Sequence, residues 1–152
     1  MAVALVAGCV SESTYQQEVQ QVGTLSAQNR TYQQLNQQLQ AEVWADQVHI
    51  TQLQDRLKVS MVDQLLFPEG GWELHRPGEA TLNKIVPTLQ SLHNQRIVVE
   101  GFTGNVPIGP ALRSQFPSNW ELSTARATDV VRYLVVQGVN PNMLSAQGFG
   151  DS

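Results

Sequence analysis

Residues Phe116 to Ala127 read Phe-Pro-Ser-Asn-Trp-Glu-Leu-Ser-Thr-Ala-Arg-Ala and predict the beginning of a helix. Ser118 or Asn119 can cap this helix by accepting hydrogen bonds from amides of its first turn. Glu121 stands within that turn, where a carboxylate is favoured. The apolar residues that follow recur at helical spacing and predict one buried face: Leu122, Ala125, Val130, Val131 and Leu134.

The segments on either side of this helix predict short strands and one more helix. Apolar runs at residues 97–101 and 144–149 are suited to strands, and so is the stretch 59–67. Residues 82–92 carry apolar side chains at helical spacing, with Pro87 expected to kink or divide that helix. The order β-α-β-α-β predicts the α+β class, a sandwich with its helices on one face of a sheet.

The N-terminal part of the chain predicts a long helical arm. Residues 13–58 contain no proline and one glycine, and they are rich in glutamine, a good helix former. We therefore predict that residues 10–58 form a coiled-coil spacer, roughly 65 Å long at 1.5 Å per residue, through which two copies can associate. A single amphipathic helix packed on its own domain, or a polar tether, are the alternatives. The predicted seam is Tyr15, Glu18, Val22, Leu25, Asn29, Tyr32, Asn36, Leu39, Val43, Asp46, Ile50, Leu53 and Leu57.

The first nine residues are apolar and uncharged, and they end in Leu5-Val6-Ala7-Gly8-Cys9. This ending resembles the lipobox of bacterial lipoproteins, so residues 1–9 are interpreted as a truncated signal and Cys9 as the lipidation site. Acyl chains on Cys9 would hold the protein at a membrane. Val10 after the cysteine favours the outer membrane, by resemblance to the lipoprotein sorting rule. The alternative is an apolar N-terminus with a chance cysteine.

The composition argues against several classes of function. The net charge is −4 and no basic stripe is present, which argues against nucleic-acid binding. One cysteine and three histidines at no ligand spacing predict neither a metal site nor a cofactor. No nucleophile-and-base or paired-carboxylate pattern is found, so we predict that the protein is not an enzyme.

Four segments together resemble the OmpA-like peptidoglycan-binding domain family, which includes the Pal lipoprotein and the flagellar stator protein MotB. They are Gly101–Thr103, Pro107-Ile108, Phe116–Ala127 and Gly148–Gly150. The resemblance implies an OmpA-like domain over residues 59–152. The family continues after the Gly-Phe-Gly motif with a further strand. The final family strand is therefore expected to be missing here, with the domain truncated at its C-terminus.

The resemblance also implies a ligand site for diaminopimelate, the residue of the peptidoglycan stem peptide that carries both a carboxylate and an ammonium group. Arg126 matches the family arginine that holds the carboxylate, for which a guanidinium fork is well suited. Asn119 matches the family asparagine, and Thr103 and Leu122 complete the motif. The family's ammonium-binding aspartate is replaced by Gly104, with Asn105 beside it as a neutral acceptor. Losing a charge-assisted hydrogen bond of about 1.5–3 kcal/mol predicts an affinity lower by one to two decades.

Two functions follow as hypotheses. In the first, a lipid anchor and a non-covalent wall-binding domain tether the outer membrane to peptidoglycan on its periplasmic face. In the second, the coiled coil is the working part of a structural or partner-binding lipoprotein, and the peptidoglycan site is degenerate because Gly104 replaces the aspartate.

Overall fold

The computed structural model describes residues 12–152, without the side chain of residue 12. The predicted signal remnant (residues 1–9) and the predicted lipidation site Cys9 lie outside the described residues. The helices and strands follow one another as α1 (Glu12–Gln38), α2 (Gln40–Trp44), β1 (Val48–Gln52), β2 (Leu57–Met61), α3 (Asp63–Leu66), α4 (Arg76–Ser91), β3 (Ile97–Gly101), α5 (Pro110–Arg113), α6 (Asn119–Val136), a 3-10 turn (Pro141–Met143) and β4 (Leu144–Gly148). The predicted mixed class, with a long N-terminal helix, is confirmed.

The prediction that the helical arm reaches residue 58 is wrong. β1 and β2 pair as an antiparallel hairpin, with Val48 opposite Met61 and Ile50 opposite Val59. Val48 is fully buried in the main core. Its burial, with β-branched residues at alternate positions, favours a strand over the helical propensity of this stretch. The strand predicted at 59–67 is also shorter than expected. β2 ends at Met61, and residues 63–66 form α3.

The second half of α1 packs on the domain itself. Leu35 of this half and Leu39, which directly follows the helix, join the main hydrophobic core together with residues of α4. Polar contacts reinforce this packing, since the Thr88 hydroxyl donates to Gln38 Oε1 at 2.8 Å. The alternative of an amphipathic helix on its own domain therefore applies to this half. The first half, residues 13–26, is exposed throughout, and for this half the coiled coil remains a prediction.

α4 runs as one helix through Pro87, so the predicted division at this residue is wrong. The proline removes one backbone hydrogen bond from the helix. The buried face of α4 compensates for this loss, because Leu82, Ile85 and Val86 lie in the main core.

β3, α6 and β4 form a parallel strand–helix–strand unit that positions the candidate site. β3 and β4 pair from Ile97 opposite Leu144 to Gly101 opposite Gly148, and α6 packs across both strands. A side chain at Gly101 would overlap the backbone of Ser123 in α6. The helix therefore lies unusually close to the carboxyl ends of the two strands. Within residues 12–152 the strands form two two-stranded sheets, β1-β2 and β3-β4, where the sequence predicted one.

Candidate functional site

The N-terminus of α6 is fixed by a capping box. The Ser118 side chain accepts a hydrogen bond from the Trp120 amide, and the Glu121 carboxylate accepts one from the Ser118 amide at 2.8 Å. The hydrogen bond from the Ser118 hydroxyl lowers the pKa of Glu121 below its ordinary value. Of the two predicted caps, Ser118 is therefore the cap, and Asn119 is the first residue of the helix.

Asn119, Leu122 and Arg126 lie on one face of α6, since they are three and four residues apart. Asn119 and Arg126 are separated by about 10 Å along the helix axis at 1.5 Å per residue. Leu122 is buried, with 6% of its surface exposed, and packs against Ile108 and Phe116. Leu122 therefore supports the loop before α6 from below, while Asn119 and Arg126 offer the polar groups.

Arg126 is held by three groups from distant parts of the chain. Its Nε and Nη2 donate to the Gly71 carbonyl at 3.1 and 2.8 Å, and Nη1 donates to Asp63 Oδ2 at 2.8 Å. The guanidinium carbon lies 5.2 Å from the centre of the Phe67 ring. The side chain is only 13% exposed. Each terminal nitrogen keeps one further N–H for another acceptor, because a guanidinium has five donors.

The loop after β3 is hydrogen-bonded to the start of α6 and to the segment that follows β4. The Asn119 amide group donates to the carbonyls of Gly104 at 3.3 Å and Val106 at 3.4 Å. At the start of the loop, the Thr103 amide donates to the Gly150 carbonyl at 2.6 Å. The Thr103 hydroxyl is buried, with no hydrogen-bond partner among the described residues. The structure thus brings Asn119, Thr103 and Gly104 together.

Gly104 and Asn105 lie at the open side of this loop. A Cβ atom placed on Gly104 meets no atom within 4 Å, and Asn105 is exposed. The Gly104 backbone is not in the left-handed region, so an L side chain is accommodated there. Among the described residues, no hydrogen bond joins Arg126 directly to residues 103–105.

The sequence did not identify the residues that hold Arg126. Asp63 and Gly71 lie 63 and 55 positions away from the arginine in the chain, and no local pattern joins them to it. The available signal was indirect, because a buried arginine requires a carboxylate or carbonyl partner somewhere in the fold. Over residues 12–152 there is neither a group of metal-ligating side chains nor a helix long and apolar enough to cross a membrane.

A capped helix packs on two parallel strands, and an antiparallel hairpin completes the strands of the described residues. This arrangement places the domain in the mixed class of small α and β domains. The chain is a member of the OmpA family, whose model matches residues 66–152, more than half of its length.

Curated proteins resemble the chain over part of its length. Motility protein B of Helicobacter pylori is 35% identical over 72 residues, which are 47% of this chain and 27% of that protein. Motility protein B of Bacillus subtilis is 30% identical over 97 residues, 62% of this chain and 36% of that protein. The chain thus matches about a third or less of the length of these relatives.

Solved structures resemble a larger part of the fold. A MotB-like protein from Desulfovibrio vulgaris matches with a TM-score of 0.71 and 26% identity, over 86% of this chain and 80% of the other. The cell wall anchor of the T6SS from Pseudomonas aeruginosa matches with a TM-score of 0.68 and 26% identity, over 78% and 80%. Both comparisons extend beyond the family match toward the N-terminus, because they cover more of the chain.

Proposed function

We propose that this chain binds peptidoglycan non-covalently, holding the diaminopimelate of a stem peptide between α6 and the loop 103–105. The observation that carries the proposal is the common face of α6 on which Asn119 and Arg126 lie, with Asn119 fixed to the Gly104 carbonyl. Family membership supports it, and so does the fold shared with the cell wall anchor of the T6SS from Pseudomonas aeruginosa.

Arg126 binds the ligand carboxylate through the two N–H groups that it does not use internally. Asp63 and the Gly71 carbonyl fix the plane of the guanidinium, so the side chain loses little conformational freedom when the ligand binds. The Asp63 carboxylate occupies only one N–H of Arg126 Nη1. The ligand carboxylate therefore binds as a second acceptor beside Asp63 and does not replace it.

In the loop 103–105, the ammonium group of the ligand meets neutral acceptors. The exposed Asn105 side chain offers one, and no carboxylate occupies position 104. A neutral hydrogen bond contributes about 0.5–1.5 kcal/mol, against about 1.5–3 kcal/mol for one to a charged group. Binding is accordingly weaker than in a site with the aspartate, but the site keeps its shape.

The tether to the outer membrane completes this function. A lipid on Cys9 provides the anchor, and the exposed first half of α1, residues 13–26, provides a spacer of about 20 Å at 1.5 Å per residue. This is shorter than the arm predicted to residue 58. The protein then lies on the periplasmic face of the outer membrane, attached to the wall at its other end.

The exposed half of α1 favours a second function, a structural or partner-binding role with a degenerate wall site. Tyr15, Val19 and Val22 expose 63%, 53% and 63% of their surfaces. Apolar side chains in such a row are typical of a helix that packs against another. Self-association through this row is compatible with the first function, because it leaves the α6 site open.

Co-sedimentation with diaminopimelate-containing sacculi tests the proposal. We expect the parent chain to sediment with the sacculi, Arg126→Ala to bind roughly ten- to a hundredfold more weakly, and Gly104→Asp to bind more tightly by a similar factor. Arg96→Ala is the matched control, since Arg96 is an exposed arginine just before β3, at the opposite end of that strand from the loop 103–105.

A second variant separates binding from folding. Arg126→Ala leaves Asp63 without its partner, so its circular dichroism and melting temperature must be compared with those of Arg126→Lys. The lysine keeps the charge but loses the fork. Equal sedimentation of parent, Arg126→Ala and Arg126→Lys, with all three folded, would rule out the diaminopimelate site. Sedimentation by Gly104→Asp alone would favour the partner-binding function.

A further inference from the structure

The groups that hold Arg126 all come from one short segment of the chain, residues 63–71. Asp63 and the Gly71 carbonyl accept the hydrogen bonds of the guanidinium, and the Phe67 ring lies against it. Only the first part of this segment is helical, as α3, and the rest has no regular structure. The position of Arg126 therefore depends on what fixes this segment at its end.

His75 closes the connection between this segment and α4. Its backbone amide donates to the Leu66 carbonyl of α3 at 3.1 Å, and its Nδ1 atom accepts a hydrogen bond from the Gly78 amide at 3.2 Å. Gly78 is buried and packs so closely on α3 that an added Cβ atom would overlap the backbone of Leu66. Beside His75, the Leu74 amide donates to Asp129 Oδ2 of α6 at 2.8 Å. The junction of α3, α4 and α6 is thus fixed by His75 and its neighbours.

The cap that His75 places on α4 requires a neutral imidazole. Nδ1 accepts a hydrogen bond only while it carries no proton, and in the charged form both ring nitrogens are donors. Pro77 has no amide, so in this turn the buried Gly78 amide is the group that depends on the ring. Protonation leaves this amide without its acceptor and places a cation at the positive end of the helix.

The charged groups around the start of α4 do not compensate a charge on this ring. Within the described part of the chain, no ion pair joins the imidazole of His75 to a carboxylate. Asp63 is paired with Arg126, and Asp129 accepts from the Leu74 amide. The charged residues on the elements that meet here are Asp63 on α3, Glu73 before α4, Arg76 and Glu79 on α4, and Arg126, Asp129 and Arg132 on α6.

We propose that His75 is a pH-sensitive positioning residue for Arg126: the neutral ring caps α4 and holds residues 63–71 against the guanidinium, and protonation releases both. Binding of a carboxylate ligand then weakens as the pH falls through the range in which histidine ordinarily gains its proton, from about 8 to about 5. The effect on ligand binding rests on the proposed function. The effect on Arg126 and its internal contacts does not depend on any ligand.

The first test uses the full chain without a ligand. Nitrogen–proton spectra between about pH 8 and pH 5 follow the Gly78 amide and the Arg126 Nε–H, while the carbon-bound ring protons of His75 report its charge. We expect these signals to shift with one midpoint in the parent. In His75→Asn, whose side-chain oxygen caps the helix without titrating, the Gly78 and Arg126 signals should not shift. His93→Asn, at an exposed histidine after α4, is the matched control and should behave like the parent.

The second test measures co-sedimentation with diaminopimelate-containing sacculi at the two ends of this pH range. We expect binding by the parent to weaken about fivefold at the acidic end, the fold-change that corresponds to one lost cap. His75→Asn should bind equally at both ends. His75→Ala, which has no cap at any pH, should bind at both ends as the parent does in acid. Circular dichroism of each protein at both ends establishes that it is folded.

The outcomes separate this inference from the proposed function. Coupled shifts in the parent that are lost in His75→Asn, with no sacculus binding at any pH, would support the link between His75 and Arg126 and overturn the diaminopimelate site. An Arg126 Nε–H signal that does not move while the His75 ring titrates would overturn the inference, whatever the chain binds. Sacculus binding that weakens equally in the parent and in His75→Asn would also overturn it.

Discussion

The two halves of α1 differ in what their apolar side chains contact. In the second half, Leu35 and the adjoining Leu39 are 4% and 0% exposed, because they pack in the main core against α4. In the first half, Tyr15, Val19 and Val22 are more than half exposed. At about 100° per residue the two sets lie about 150° apart around the helix axis. The exposed row therefore faces away from the domain and does not extend the face that packs on it.

This comparison shows that a helix can be continuous in backbone and divided in its packing. One seam through the whole arm was predicted from apolar spacing alone, and the structure divides it. The domain covers Leu39 and partly covers Tyr32 and Asn36, while Tyr15 and Val22 stay exposed. Packing of the exposed positions against a second helix remains a prediction. Mutations in the two halves should accordingly separate domain stability from self-association.

The largest effect is expected for Leu39→Ala. Leu39 is fully buried, and truncating a buried leucine to alanine costs about 2–5 kcal/mol, from lost apolar burial and from the cavity that remains. Urea unfolding of parent and variant gives the difference in free energy. Val22→Ala, on the exposed half, is the matched control and should change the unfolding free energy by less than about 0.5 kcal/mol. Equal losses for the two variants would show that the halves do not differ.

A smaller effect is expected for Lys84→Ala, which removes the ion pair between α4 and α2. Lys84 Nζ pairs with Glu42 Oε1, and the other oxygen, Oε2, is buried with no hydrogen-bond partner among the described residues. Without the lysine a nearly buried carboxylate is left unpaired, which costs about 1–3 kcal/mol. Lys58→Ala, an exposed lysine on β2, is the control. Urea unfolding should show a loss for the first variant and little change for the second.

The next effect concerns α6, whose N-terminus is fixed by the capping box at Ser118. Ser118→Ala removes the cap, and such losses typically cost about 1 kcal/mol. The pKa of Glu121 is lowered by the Ser118 hydroxyl in the folded state, so the ionised carboxylate is favoured by folding. This contribution is present above the unfolded pKa of the carboxyl and is lost as the pH falls through the lower folded value.

Unfolding measured between neutral and strongly acidic pH checks the sign. The stability difference between the parent and Ser118→Ala should be largest at neutral pH and should shrink in acid, where Glu121 is protonated in both proteins. Glu121→Gln should show the same reduced dependence on pH. A difference that stays constant down to the lowest pH would contradict the link between the cap and the carboxylate.

The sequence predicted α6 and the strands β3 and β4 well, because their signals are local. The cap at Ser118, the left-handed Gly138 after the helix and the apolar runs each act within a few residues. The end of α1 could not be predicted in this way, since residues up to 58 favour a helix locally and the burial of Val48 decides otherwise. The partners of Arg126 depend on long-range packing, so its place in the motif was predictable but its contacts were not.

The smallest effect on stability, and the sharpest test of the comparison, is expected for the double variant Val19→Ser, Val22→Ser. Both side chains are exposed, so the unfolding free energy of a monomer should change by less than about 0.5 kcal/mol. If two copies pair along this row, each side chain packs against its equivalent, and serine removes that packing while keeping the helix polar and uncharged.

We expect concentration-dependent sedimentation of the parent and a single monomeric species for the double variant. Gln17→Ser, on the opposite face of the same turns, should sediment like the parent. A parent that remains monomeric at all concentrations would mean that the row needs a different partner, although the division of α1 into a packed and a free half would stand.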